Sequence, residues 1–188
     1  RNAVLKSGRG WTAMDAWNRS FIQVGEELEK HRRAFVDAWW RELGKLEPWV
    51  KLGNDCRMGY DRGWDESLSL EEAVDARRED EVVRGFTLVG PSRADFWFAR
   101  GGKRIAFSRG QTKAAVTLLQ VAAERVHVAG GMDAAIFLID DLEAELDPST
   151  LDELFGALWA TESQIVMTRV GLGKEQGPLS NLDGPVEV

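Results

Sequence analysis

The chain has 188 residues, 44% of them hydrophobic and 29% charged, a make-up that excludes a disordered tail, a collagen-like fibre and a disulfide-stapled miniprotein. The single cysteine, Cys56, cannot form an internal disulfide, which fits a reducing, cytoplasmic setting. The longest apolar run, Ala134 to Ile139, falls far short of the roughly 20 residues that a membrane helix needs.

The net charge of −7 argues against a surface given over wholly to nucleic acid. The charge is split, however: residues 1–113 hold 21 Lys and Arg against 18 Asp and Glu, and residues 114–188 hold 3 against 13. The chain opens on Arg1 and Asn2 in a polar run with no initiator methionine, so a piece of a longer chain is expected.

Helical spacing of Trp17, Phe21, Val24, Leu28, Phe35, Val36, Trp39 and Leu43 predicts a long helix from about Met14 to Leu46. Glu26, Glu29, Lys30, Arg32 and Arg33 would form its solvent face, and Pro48 would stop it. A glycine-punctuated stretch from Trp49 to Trp64 has room for one or two strands. Ser67 or Ser69 would cap a second helix from Leu70 to about Val83. Thr87 to Val89 reads as a strand ended by Gly90-Pro91. Alternation at Asp95 to Phe98, a turn at Arg100-Gly101-Gly102-Lys103 and a return through Ile105 to Phe107 read as a hairpin.

A helix then runs from about Thr112 to Val128 and ends at Gly130-Gly131. Ala135 to Ile139 is apolar on both faces, as a buried parallel strand would be. Pro148 and Ser149 open a helix to about Trp159, Gln164 to Met167 form a last strand, and the tail from Gly171 is expected to be loose. Strand–helix–strand–helix–strand order implies an α/β sheet. His31, His127 and Cys56 read as ordinary structural residues, and Trp17 and Trp39 as packing residues. Arg32, Arg33, Arg77, Arg78 and Arg93 are candidates for phosphate contacts, though a solvated face explains each of them.

Two short segments carry chemistry. Asp140 and Asp141 follow a buried strand, where ligands of open α/β sheets bind. In a nucleotidase the first carboxylate would hold Mg²⁺ and the second would orient or deprotonate water. Ser108-Arg109-Gly110-Gln111 opens a helix, whose free N–H groups and dipole attract anions. Taken alone, each has an ordinary reading, as a solvated strand end or a helix cap.

Their order is more specific. A hairpin, Ser108 to Gln111, a helix, a strand ending in Asp140-Asp141 and then Ala144-Glu145-Leu146-Asp147 resemble the signature, Walker B and D-loop run of ABC-type ATPase heads. Arg1 to Lys6, Arg62-Gly63-Trp64-Asp65 and Gly90-Pro91-Ser92-Arg93-Ala94-Asp95 extend the likeness. The chain resembles the RecF family of bacterial DNA replication and repair proteins from Arg1 to about Val170, over roughly the second half of that family's length.

The resemblance implies the C-terminal part of an ABC/SMC-like α/β ATPase head with a helical accessory arm. The arm would be 1–85, the head portion 86–170 and the tail 171–188. It further implies Asp140 as the Mg²⁺ aspartate and Asp141 as the catalytic carboxylate. Ser108, Arg109, Gly110 and Gln111 would be the signature closing on ATP held by a partner subunit, and Asp147 the D-loop aspartate. ATP and Mg²⁺ are the implied cofactors. The implied partners are single-stranded and gapped duplex DNA, RecO, RecR and a second copy on ATP binding, in aid of RecA loading and the SOS response. No DNA-contacting residue is assigned.

The family commonly has histidine at the position of Ser92, and Thr168 stands where transporter relatives carry a switch histidine. Gly44-Lys45, Gly102-Lys103 and Gly173-Lys174 are followed by leucine, arginine and glutamate, not the Ser or Thr of a P-loop. Alone, the chain is therefore not expected to hydrolyse ATP. The competing readings are a non-catalytic protein- or DNA-interaction module, and another SMC-like repair ATPase, which would carry a much longer coiled coil.

Overall fold

The computed structural model describes residues 1–7 and 14–168; the tail from Gly171 and the Gly173-Lys174 pair lie outside them. The chain divides into two compact units, Arg1–Asp37 with Cys56–Ile105, and Ala38–Asp55 with the residues from Ala106 onward.

The first unit contains α1 (Asn2–Lys6) and most of α2 (Asp15–Leu43), whose last residues belong to the second unit. Met14 just before α2, and Asn18, Gly25 and Glu29 on it, are buried here, while Trp17, Val24, Leu28 and Phe35 are exposed. The apolar spacing thus gives the helix, but of its eight positions only Phe21, Val36, Trp39 and Leu43 are turned inward or partly covered. Polar side chains are drawn inside because each finds a partner. Asn18 Oδ1 accepts from Arg1 Nε at 2.9 Å, and the Glu29 carboxylate accepts from Arg33 at 3.0 Å and from the Tyr60 hydroxyl at 2.7 Å. Burial and that bond to Glu29 push the Tyr60 phenol up to about 12. Arg32 also leaves the solvent face and donates to the Pro91 carbonyl at 2.5 Å.

Strands β1 (Cys56–Asp61), β2 (Asp95–Arg100) and β3 (Lys103–Arg104) form an antiparallel sheet in that order. The return strand is shorter than expected, with Ile105 N bonded to Phe98 O at 2.9 Å as its last rung.

The helix expected from Leu70 to Val83 is two. Helix α4 (Leu70–Ala76) starts at Ser69, whose side chain forms a reciprocal capping box with Glu72. Helix α5 (Arg78–Arg84) follows after Arg77, with Glu79, Asp80 and Glu81 in a first turn that favours negative charge. Trp64, Leu70, Ala73 and Val74 form a core against which Phe21, Ile22, Leu68 and Val89 pack.

Thr87 to Val89 is not a strand. Side chains take its backbone groups instead: Leu88 N donates to Glu81 Oε1 at 2.7 Å, and Thr87 N to Asn2 Oδ1 at 3.0 Å.

The second unit contains α3 (Glu47–Leu52), α6 (Arg109–Ala129), β4 (Ile136–Ile139), α7 (Pro148–Trp159) and β5 (Gln164–Met167). Pro48 starts α3 rather than merely ending the preceding helix, because a first-turn residue needs no N–H. Helices α6 and α7 are in contact, and Leu118, Val121 and Ala122 on the first and Leu154, Phe155 and Leu158 on the second are buried. Trp39 does pack inward, its indole donating to the Leu119 carbonyl at 2.7 Å.

Strands β4 and β5 pair in parallel from Ile136↔Gln164 to Ile139↔Met167, with α7 as the crossover. The expectation of burial on both faces is not met: Ile136 is 59% and Leu138 77% exposed. Among the described residues the sheet has two strands, and a parallel sheet needs cover on both faces to bury such a run.

Candidate functional site

The second unit brings the chemistry-bearing segments to the carboxyl end of β4. Asp140 directly follows the strand, and Thr168 directly follows β5. Thr168 N extends the ladder to Ile139 O at 3.0 Å. Its hydroxyl donates to Asp140 Oδ1 and accepts from Asp141 N at 3.3 Å. One threonine therefore holds both ends of the Asp140-Asp141 pair. Asp141 then turns the chain with φ at 47°, a left-handed conformation that aspartate tolerates better than most residues.

Helix α6 begins beside this turn. Ser108 and Gln111 form a reciprocal capping box, Gln111 N donating to Ser108 Oγ at 3.3 Å and Ser108 N to Gln111 Oε1 at 3.0 Å. The Ser-x-x-Gln spacing carries this information in the sequence. The Ser108 and Gln111 side chains are thus occupied by the helix start, while Ser108, Arg109 and Gln111 stay exposed.

Two contacts tie α6 to the turn after β4. Lys113 Nζ donates to the carbonyls of Asp141 and, at 3.1 Å, of Ala144. Gly110 faces Glu145, where an added Cβ would come within 2.6 Å of the carbonyl oxygen. An exposed Arg109–Glu145 ion pair at 3.7 Å accompanies them and contributes little on its own. Sequence reading did not single out Lys113, since its position two residues past the Ser-Arg-Gly-Gln run shows no link to a turn about thirty residues later.

Gly110→Val should force this packed contact apart and destabilise the chain by about 1–3 kcal/mol. Urea unfolding followed by circular dichroism checks it, and an unchanged midpoint would mean that α6 and the turn do not pack closely.

Asp147 caps α7. Its carboxylate accepts from Ser149 Oγ and Thr150 Oγ1, each at 2.6 Å, and from Thr150 N at 3.0 Å. The Ser149 hydroxyl, followed by the Thr150 hydroxyl and N–H, holds this carboxyl well below the ordinary carboxylate range. Beside these residues a cleft of about 340 Å³ is lined by Lys51, Gln111, Ser149, Thr150 and Glu153.

Asp140 and Asp141 supply hard carboxylate oxygens of the kind Mg²⁺ takes. Among the described residues no group of three or more His, Cys, Asp and Glu could hold a metal, so such an ion would draw its other ligands from water and phosphate. Of the arginines considered for phosphate, Arg33 and Arg77 lie in ion pairs, and Arg93 donates to the Thr87 carbonyl at 3.3 Å.

Comparison with known proteins finds curated DNA replication and repair proteins named RecF. The chain is 31% identical over 175 residues to that of Pseudoalteromonas translucida, covering 90% of this chain and 48% of the relative. It is 32% identical over 173 residues to that of a Marinomonas species, with 90% and 47% covered. To that of Marinobacter nauticus it is 37% identical over 155 residues, with 78% and 40% covered. The chain spans about half the length of the curated relatives it matches. No family model matches it.

Among solved structures, the recombination mediator protein RecF with ATP superposes with a TM-score of 0.70 at 18% identity, covering 93% of this chain and 50% of that one. A RecF-ATPrS structure gives 0.71, with 91% and 50% covered. Among the described residues no helix is long and apolar enough to cross a membrane.

Proposed function

The chain is RecF-like in sequence and in fold, and from that premise we propose that it is the signature- and Walker B-bearing half of an ATP-driven dimeric DNA clamp. The observation that carries the reading is the meeting of the α6 start with the Asp140-Asp141 turn, through Lys113 and Gly110. The two segments whose sequence order resembles an ATPase head are also neighbours in space.

In this reading residues 1–85 are the arm and residues 86–170 the head portion. Asp140 would hold Mg²⁺, which would supply positive charge beside the reacting phosphate. Asp141 orients the attacking water and takes up its proton. Thr168 fixes the rotamer of Asp140, leaving the Asp141 side chain free for the water. Ser108 to Gln111 present the positive end of α6 to ATP held by a second subunit, and Asp147 stands at the dimer seam. The partners are single-stranded and gapped duplex DNA, RecO and RecR in aid of RecA, in the cytoplasm.

A non-catalytic interaction module has one observation in its favour: Ser108, Gln111 and Asp147 all spend their side chains on helix caps. The full-length protein separates the two readings. Ser108→Arg should still bind ATP but no longer dimerise with it in light scattering, whereas Ser108→Thr, which keeps the cap, should dimerise. ATP-dependent dimers of Ser108→Arg would remove the signature from the interface.

A further inference from the structure

The hairpin end of the first unit is strongly cationic. Arg57, Arg100, Lys103 and Arg104 lie within it, and neither 56–60 nor 96–107 contains an Asp or Glu. The two-residue turn Gly101-Gly102 has φ of 56° and 77°, the paired left-handed geometry of a tight hairpin, and it keeps Lys103 beside Arg100.

The register places Arg57, Ala99 and Arg104 in one row across the three strands, so all three side chains share a face. Small Ala99 leaves a trough between two guanidinium groups whose strands are about 10 Å apart. The unit's ion pairs use Arg1, Arg33 and Arg77. Among the described residues none uses Arg57, Lys103 or Arg104.

Arg104 is also held in place. Its guanidinium carbon lies 4.1 Å from the centroid of the Trp97 ring. Trp97 in turn lies across Gly59, where an added Cβ would come within 2.5 Å of the indole. Backbone, indole and guanidinium thus form a stack. A guanidinium fixed over an aromatic face keeps its N–H edge available and loses less freedom when it meets an oxyanion.

Asp55 is the carboxylate nearest to Arg57 in the chain, two residues before it, and the acidic side chains within the sheet lie farther off. The Asp61↔Asp95 pair sits four residues along the ladder, about 13 Å away and beyond the Debye length of roughly 8–10 Å. Asp61, Asp65 and Glu66 line the neighbouring cleft, which reaches Trp97 but neither Arg57 nor Arg104. Arg77 and Arg93 also line that cleft, but they are engaged with Asp80 and with the Thr87 carbonyl, which leaves the trough as the freer path for a polyanion.

We infer that the Arg57–Ala99–Arg104 trough binds the phosphodiester backbone of nucleic acid, with Arg104 preset by Trp97 and without readout of bases. Arg104 occupies the face of Trp97, so the indole supports a phosphate contact rather than stacking a base. This inference rests on the DNA-binding part of the reading above but not on its ATPase part.

The test is fluorescence anisotropy of the 188-residue chain with two labelled 30-base-pair duplexes of unrelated sequence across a salt series. Arg57→Gln with Arg104→Gln should weaken binding to both duplexes alike, by about 5-fold or more at low salt. It should also reduce the slope of log affinity against log salt by about 2, or 0.9 per lost phosphate contact. Arg57→Lys with Arg104→Lys should keep the slope.

Wild-type binding that the glutamine pair leaves unchanged overturns the trough and spares the DNA-binding reading. No wild-type binding at low salt overturns the trough, which needs neither ATP nor a second subunit. Tighter binding of phosphatidylserine vesicles than of duplex through the same two arginines makes the trough a lipid surface and overturns it as well.

Discussion

Asp141→Asn in the full-length protein should lower kcat for Mg²⁺-ATP hydrolysis by about 10²- to 10⁴-fold, the usual scale of a positioned general base. The substitution is a clean one on this backbone. Asp141 sits at φ 47°, and asparagine adopts that region as readily as aspartate. Its backbone N–H and carbonyl, which meet Thr168 and Lys113, do not change. The neighbouring carboxylate keeps its own partner, since the Thr168 hydroxyl donates to Asp140. A fold-level effect is thus small, and the loss should fall on kcat with little change in KM for ATP. Steady-state phosphate release, with urea unfolding to show equal stability, checks this. A kcat within about three-fold of wild type would exclude Asp141 as the base.

The parts of this site that sequence reveals are those set by local chemistry. Ser108 and Asp147 stand where a cap is needed, and α6 and α7 start there. The parts it conceals depend on partners far along the chain. Lys113 meets carbonyls about thirty residues away, and Glu29 and Asn18 go inward because Tyr60 and Arg1 reach them. An apolar period alone put Trp17, Val24, Leu28 and Phe35 on the buried face of α2. Their neighbours at 18, 25 and 29 are polar or small, and only the partners across the unit show why those are inside. The same holds for Ile136 to Ile139. The run is hydrophobic enough for a sheet covered on both faces, yet how much covers it is a property of the surrounding chain.

Glu81→Ala should destabilise the 188-residue chain by about 3–5 kcal/mol, the cost of leaving one member of a buried ion pair without the other. Glu81 is fully buried and its carboxylate accepts from Arg1 Nη2 at 2.5 Å and from Leu88 N at 2.7 Å. Arg1 completes its fork with Asn18 Oδ1 and, at 2.6 Å, Thr87 Oγ1, and its guanidinium lies 5.2 Å from the Phe21 centroid. Removal of the carboxylate strands a guanidinium that is only 6% exposed and leaves the Leu88 N–H unpaired. The segment from Thr87 to Val89 has no ladder to fall back on, so its order depends on these side chains. Glu145→Ala, which breaks the exposed pair with Arg109, should by contrast cost less than about 1 kcal/mol. Urea unfolding of the two variants side by side tests the difference. Equal and small losses would show that the Arg1–Glu81 pair is solvated in solution, and that hydrophobic packing around Trp64 and Leu70 holds the first unit without it.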